Sequence, residues 1–347
     1  MLGFFSSIRR NNVKSAFENQ MSPRIVHGSL LLAASFCANA YAQTASPAEL
    51  VDALNRVFGP QQQTRANHAN GLVLAGLFRA SPEAALVTRA VHLQANPSPV
   101  KATVRFSSFG GNPRVADADP GAAPYGLSVK FALPNGEETD IVMHSFNGFP
   151  SRTTDEFRDF LTAMGNSPAG SPQPSALQRY GATHERAKFF LDAVKLPPES
   201  FVSQPYFGVN TFKFIDKSGA VRFGRYRFVP LGAARYLDQA RRTKATRDYL
   251  KTEIRTRLLR APVVMKLLLQ LAEKGDALDD PSVAWPEQRR LIELGTLTID
   301  AVVADNAAAE RSLSFFPGEL PDGIEVQDPM LRDRNKSYAE SLTRRQR

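Results

Sequence analysis

This chain of 347 residues has one cysteine, one tryptophan and five histidines. Each shortage removes a class of chemistry. The single cysteine, Cys37, rules out an intrachain disulfide framework, a CxxC redox pair and a thiolate zinc site. Of the histidines, only His68, His92, His144 and His184 lie beyond residue 42, and no two have metal-ligand spacing. HExxH, GxGxxG after a strand, a P-loop and GxSxG are all missing, so the usual hydrolase, dehydrogenase and nucleotide-binding signatures fail. Paired carboxylates occur at Glu137-Glu138 and Asp279-Asp280, but both sit in turn-like stretches expected to be exposed.

No apolar run is long enough to span a bilayer. The longest, Ser29 to Ala38, follows Arg24 and leads to Ala40-Tyr41-Ala42, the pattern of a secretory signal with cleavage after Ala42. Residues 1–42 are therefore read as an N-terminal extension and signal peptide, with Met21 as an alternative start. The expectation is an exported protein, periplasmic or secreted, without a membrane anchor. Because Cys37 lies in that leader, residues 43–347 are free of thiols. The leader holds four of the 43 Lys and Arg and one of the 34 Asp and Glu, which leaves residues 43–347 at +6. The basic residues are scattered with no block of five, as expected of a solvated surface and not of a nucleic-acid partner.

Residues 43–347 read as a single domain. SPAELVDALNRVF predicts a helix from Pro47 to Phe58 capped by Ser46. A polar loop then enters an apolar strand, Gly71 to Phe78. Ala102, Val104 and Phe106 alternate with polar neighbours. Two hairpins turn at Pro134-Asn135-Gly136 and at Asp216 to Gly219. Between them TTDEFRDFLTAMGN, with Thr154 as cap, and SALQRYGATHERAKFFLDAV have helical spacing. The run from Tyr236 to Glu273 is also read as helical, and LIELGTLTID as a last strand. This order predicts an α+β fold around an antiparallel barrel of about eight strands with surrounding helices.

Two features stand out for chemistry. His68 sits where the loop TRANHANG enters the first strand, three residues after Arg65. In DPMLRDRNKSYAESLTRRQR, Arg334, Tyr338 and Arg345 stand at i, i+4 and i+11, on one face of a helix. An arginine one turn before a tyrosine favours the phenolate, an anionic oxygen that suits ferric iron.

Taken in order, RANHANG, VRFSSFGG, PYGLSVKF, GVNTFKF, the WP…LIELGTLTID stretch and LSFFPGELPDGIEVQDPMLRDRNKSY make the chain resemble the catalases, including short exported catalase-related peroxidases, from about Ala48 onward. The resemblance implies haem b as cofactor, with Tyr338 as the proximal iron ligand and Arg334 donating to its oxygen. It makes His68 the distal acid/base and Ser107 the hydroxyl that fixes its tautomer. Arg65, Arg105 and Arg345 fall where the family binds propionates, with Arg344 as an alternative to Arg345. It implies a domain without the C-terminal helical region of full catalases. The expected function is peroxidase action on organic hydroperoxides and hydrogen peroxide with residual catalase activity. The expected partners are a peroxide and a small organic reductant, and the expected assembly is a monomer or homodimer. A lipid-hydroperoxide isomerase or lyase and a non-catalytic haem carrier are the alternatives. The sequence also departs from the family. His144 or Ser145 stands where full catalases have a distal Asn, Phe109 replaces a smaller apolar residue, and Ala-Glu-Ser follows Tyr338 in place of Pro-Asp-Thr.

Overall fold

A computed structural model describes residues 44–60 and 63–346, so the expected signal peptide lies outside the described residues. Among the described residues ten strands run antiparallel: β1 (Gly71–Ala80), β2 (Val100–Ser107), β3 (Gly126–Ala132), β4 (Glu138–His144), β5 (Tyr206–Phe207), β6 (Phe212–Ile215), β7 (Val221–Pro230), β8 (Val263–Leu271), β9 (Leu291–Val302) and β10 (Ile324–Val326). Eight close on themselves in the order β1-β2-β3-β4-β5-β7-β8-β9, while β6 and β10 extend the wall beside β7. Closure removes the open sheet edge that an antiparallel sheet of this size would otherwise expose.

Period-2 alternation sorts each wall strand into two sets. Ala102, Val104 and Phe106 of β2, Leu127, Val129 and Phe131 of β3, and Ile141 and Met143 of β4 enter one apolar core. Arg105 and Ser107, Gly126 and Ser128, and Val142 and His144 consequently project from the outer face. Across a cavity from that face lie α1 (Pro47–Phe58), α2 (Thr154–Gly165) and α4 (Glu185–Asp192), with α3 (Ala176–Thr183) packed on α2 and α4. A second apolar cluster of Ala53, Phe160, Leu161, Ala187 and Phe190 holds these helices together. Farther along are α5 (Gln239–Lys244), α6 (Tyr249–Leu258), α7 (Asn306–Ser312) and α8 (Pro329–Arg345).

Local chemistry explains most boundaries. In α1, Ser46 and Glu49 form a reciprocal capping box, and Pro47 stands at the first turn, where it has no hydrogen bond to lose. The cap of α2 is Thr153, whose side chain accepts from Glu156 N; Thr154, the expected cap, is buried in the first turn. The expected helix over SALQRYGATHERAKFFLDAV is two helices, broken at His184, whose ψ of 90° leaves the helical region.

The largest correction concerns Tyr236 to Glu273. Only α5 and α6 are helical there, and Val263–Leu271 is a central barrel strand. Pro262 blocks continuation of the helix. Beyond it Val263, Met265, Leu267 and Leu269 are buried and alternate with half-buried Val264, Lys266 and Leu268, a two-residue period that a leucine-rich reading conceals. Asp280 also departs from expectation. It is buried, accepting from Arg186 at 2.8 Å and from Ser282 N at 3.0 Å, and so shapes the turn from Asp280 to Ser282.

Candidate active site

One cavity lies between the outer face of β2-β3-β4 and the helices, leaving about 1480 Å³ unfilled by protein atoms, its open mouth included. Arg65, His68, Arg105, Ser107, Arg334, Tyr338 and Arg345 all line it, so the structure brings together every site residue expected from the sequence.

His68 is held in an unusual backbone state. Its φ of 55° lies in the left-handed region, which costs a non-glycine residue about 1–2 kcal/mol. Several contacts offset that strain. Asn67 Oδ1 accepts from both His68 N and Gly110 N at 2.8 Å, Ala69 N donates to Gly110 O at 2.9 Å, and Arg105 Nη2 donates to His68 O at 2.8 Å. The ring is placed by Ser107 Oγ, 3.1 Å from Nδ1, and by the edge of Phe109 at 5.7 Å. The Nε2 atom has no protein partner among the described residues. Burial first, then the charges of Arg105, the ring of His144 and Arg334, pull the imidazole pKa down to about 3. The ring borders the cavity and is therefore half-buried by area, yet protein surrounds it. It is a neutral base at physiological pH.

Gly126 makes this seat possible. It pairs with Ser107 on one side and His144 on the other. A Cβ there would stand 2.6 Å from Ser107 Oγ and 2.9 Å from His68 Nδ1. Only a bare strand position admits the imidazole.

On α8 the predicted frame holds. Arg334 Nη2 donates to Tyr338 Oη at 2.7 Å, a charge-assisted bond that stabilises negative charge on that oxygen. The guanidinium is itself fixed from behind. Its Nη1 donates to Asn210 Oδ1 at 3.2 Å, and Asn210 Nδ2 donates to Asp328 at 2.7 Å. Asp328 is also the N-cap of α8, accepting from Met330 N at 2.9 Å. A relay thus runs from the helix cap to the tyrosine. Asn210 lies within GVNTFKF, but nothing local in the sequence links it to a helix that begins at residue 329.

The third group is a cluster of arginines around Glu310 of α7, a residue that sequence reasoning missed. Arg105 donates to Glu310 from Nε at 2.9 and 3.0 Å and from Nη2 at 2.9 Å, and Arg65 Nη1 donates to it at 3.1 Å. Arg345 Nη2 donates to the Leu313 carbonyl at 2.6 Å, but its Nε is buried without a partner among the described residues. Burial, then Arg105 and Arg345, press the Arg65 pKa down to about 8, and burial and Arg105 press Arg345 down to about 10. A guanidinium keeps its proton at neutral pH regardless. Three cations therefore share one carboxylate in this corner of the cavity.

Of the two residues at the remaining polar position, His144 lines the cavity, whereas Ser145 Oγ accepts from Tyr125 N at 3.0 Å. Arg344 is engaged with Asp52 and Glu340 and does not line the cavity. Phe149, Phe157, Phe160 and Phe190 supply much of the apolar lining.

The family model described as catalase matches residues 48–347. A catalase-related peroxidase of Synechococcus elongatus is 32% identical over 308 residues, spanning 87% of this chain and 89% of that protein. One of Mycolicibacterium paratuberculosis is 34% identical over 301 residues, spanning 86% and 94%. Catalase-2 of Bacillus subtilis is 26% identical over 306 residues, with 80% of this chain covering 43% of that protein. Among solved structures, catalase A from Saccharomyces cerevisiae superposes with a TM-score of 0.73 at 19% identity, over 82% of this chain and 61% of the catalase. A fungal catalase gives the same TM-score over 59% of its length.

Proposed function

The chain belongs to the catalase family, and from that premise we propose that it is a haem-dependent peroxidase acting on organic hydroperoxides and hydrogen peroxide, with residual catalase activity. Oxidation and reduction of peroxide is its reaction class. The observation that carries the finer reading is the cavity's composition: a base on the barrel wall, a tyrosine clamped by arginine on α8, and a rim two negative charges short.

The residues present fit haem b. Its two propionates match the deficit of two anions, and the unpartnered Nε of Arg345 is a donor awaiting an acceptor. Arg65, Arg105 and Arg345 would hold the propionates, and Tyr338 would ligate iron through its phenolic oxygen, a known axial ligand type. Haem, when bound, supplies two-electron redox chemistry toward peroxide.

The chain's own residues manage protons and charge. His68 Nε2, neutral and without a protein partner, takes the hydroperoxide proton and returns it to the departing oxygen, which leaves as water or an alcohol. Ser107 holds Nδ1, so the ring keeps its orientation through both transfers. Arg334 keeps positive charge beside the tyrosine oxygen, and Asn210 and Asp328 keep Arg334 in place. The phenylalanine lining excludes water and suits an organic substituent. The remaining elements of the reading are export through residues 1–42, a small organic reductant, and a monomeric or homodimeric state.

The test is haem titration of the full chain, followed by assays of oxygen evolution and reductant oxidation. A Soret spectrum that develops in the wild type and is lost in Tyr338→Phe, with reductant oxidation exceeding oxygen evolution, is the expected result. Vigorous oxygen evolution without reductant oxidation would overturn the peroxidase assignment. Rearranged products from a fatty-acid hydroperoxide, formed without reductant, would favour an isomerase.

A further inference from the structure

The end of α4 carries a surface that the chemistry of the cavity does not use. Among the described residues, four of the twelve large apolar side chains exposed to solvent fall within eight positions: Phe189, Leu191, Val194 and Leu196. Phe189 is 57% exposed and Val194 84% exposed. Single exposed apolar residues are ordinary, but a run that gathers a third of them marks a contact surface. Lys195 stands within the run and is half-buried. Its Nζ donates to the Phe190 and Ala193 carbonyls, the latter at 3.1 Å, and lies 4.4 and 4.6 Å from the ring centres of Phe190 and Phe146. It has no carboxylate partner among the described residues, and burial lowers its pKa only to about 8, so it stays cationic at neutral pH.

A file of aromatic rings leads from this run into the cavity. Phe189 meets Phe146 at 5.7 Å, Phe146 meets Phe190 at 5.3 Å, and Phe190 meets Phe160 at 6.1 Å, all ordinary ring contacts. Phe190 and Phe160 line the cavity. The exposed run and the cavity lining are therefore two sides of one apolar cluster.

Charge is distributed just as unevenly. Residues 235–260 hold nine Lys and Arg against three Asp and Glu, a net of +6, which equals the whole excess of residues 43–347. Folding sets the start of that segment beside the apolar run. Leu237 N donates to Pro197 O at 2.9 Å, Glu199 N to Arg235 O at 3.0 Å, and Tyr249 Oη to Pro198 O at 2.6 Å. Arg235 and Arg241 share Glu199, whereas Lys244, Arg255 and Arg260 are exposed without a carboxylate partner among the described residues. An apolar edge beside a cationic field complements an anionic bilayer, which offers hydrocarbon to one and phosphate to the other. A neutral protein partner would leave the cations unanswered.

We propose that Phe189 to Leu196 dock reversibly on an anionic phospholipid bilayer, and that acyl hydroperoxides held in that bilayer are the substrate class delivered to the cavity. Docking places the exposed end of the aromatic file against the acyl chains. In the cavity the O–O bond is cleaved, the lipid leaves as its alcohol with one water, and the organic reductant supplies two electrons and two protons. The substrate half of the proposal rests on the haem-peroxidase reading; the docking half does not.

The test uses haem-loaded residues 43–347, because the apolar run from Ser29 to Ala38 would bind lipid by itself, and both described apolar clusters lie outside the leader. Three proteins are compared: wild type, Val194→Glu, and Lys244→Gln with Arg247→Gln. Each is sedimented with vesicles of phosphatidylcholine alone or mixed equally with phosphatidylglycerol. Each is then assayed with tert-butyl hydroperoxide in solution and with hydroperoxidised phosphatidylglycerol in vesicles. Wild type binds the mixed vesicles, and high salt weakens that binding. Val194→Glu binds them about tenfold or more weakly, and the double substitution also loses about tenfold. Both variants turn over tert-butyl hydroperoxide within twofold of wild type, while vesicle-borne hydroperoxide turnover falls with binding. Wild type that ignores mixed vesicles, or Val194→Glu that binds them as wild type does, would overturn the docking site. So would a wild-type dimer that becomes monomeric in Val194→Glu by light scattering, since the face would then join two copies. Wild type that binds vesicles but reduces only tert-butyl hydroperoxide overturns the substrate class alone. Failure with both peroxides overturns the peroxidase reading and the substrate class together.

Discussion

Replacing Gly126 by alanine separates the fold from the chemistry. The added Cβ would lie 2.6 Å from Ser107 Oγ and 2.9 Å from His68 Nδ1, both closer than real Cβ contacts. The obstructing atoms are side-chain ends, not backbone, so the strand can stay and the pair must part. Overpacking of this kind costs about 1–3 kcal/mol. Against it, alanine recovers about 0.5–1 kcal/mol, because glycine loses more freedom than any other residue when a strand forms. The net loss is at most about 2.5 kcal/mol, or about 5 °C in melting temperature for a domain of this size. Catalysis suffers more. Losing the Ser107–His68 bond costs about 1 kcal/mol, and moving the base by about 1 Å costs on the order of a hundredfold in rate. Thermal unfolding of apo protein, paired with steady-state hydroperoxide turnover after haem loading, measures the two effects. Peroxide turnover within threefold of wild type, in a protein that melts normally, would refute the claim that Gly126 seats the base.

Three further outcomes follow from the site's electrostatics. Glu310→Gln leaves Arg65 and Arg105 without their shared carboxylate, so apo stability falls by about 2–4 kcal/mol. Haem should then raise the melting temperature of Glu310→Gln more than that of wild type, and equal shifts by scanning calorimetry would count against the propionate assignment. Arg345→Gln should weaken haem binding about tenfold in a Soret titration, and haem dimethyl ester should bind wild type poorly while showing little sensitivity to this substitution. The pH profile carries a sign. His68 acts as a base only when neutral, and its pKa is pushed below the usual 6.5 to about 3, so activity is lost only as pH falls through that lower value. Hydroperoxide kcat/KM should therefore show no histidine limb between pH 8 and 5. A limb near 6.5 would show that His68 titrates as an ordinary surface imidazole.

Much of this molecule is legible along the chain because the relevant forces are local. Alternation in β2, the hairpin at Pro134 to Gly136 and the capping box of α1 depend on residues a few positions apart. So does the α8 frame, where four residues make one turn and Arg334 must stand beside Tyr338. Misreadings arise where local signals conflict. Leucine-rich β8 has good helix formers in a two-residue pattern, and barrel pairing with β7 and β9 overrides propensity.

Sequence by itself determined which residues could do chemistry: a lone loop histidine, a tyrosine framed by arginines, and no competing motif. Tertiary structure alone decided how they act. Cross-strand register put Ser107, Gly126 and His144 in one row, so that a residue 39 positions from Ser107 could drop its ring over the glycine. Folding carried Glu310 to arginines 205 and 245 positions away and left their charge unbalanced. It also gave Arg334 its support through Asn210, 124 residues earlier. The physical reason is the same each time: hydrogen bonds, ion pairs and desolvation depend on distance in space, which spacing along a chain encodes only within a single helix or strand.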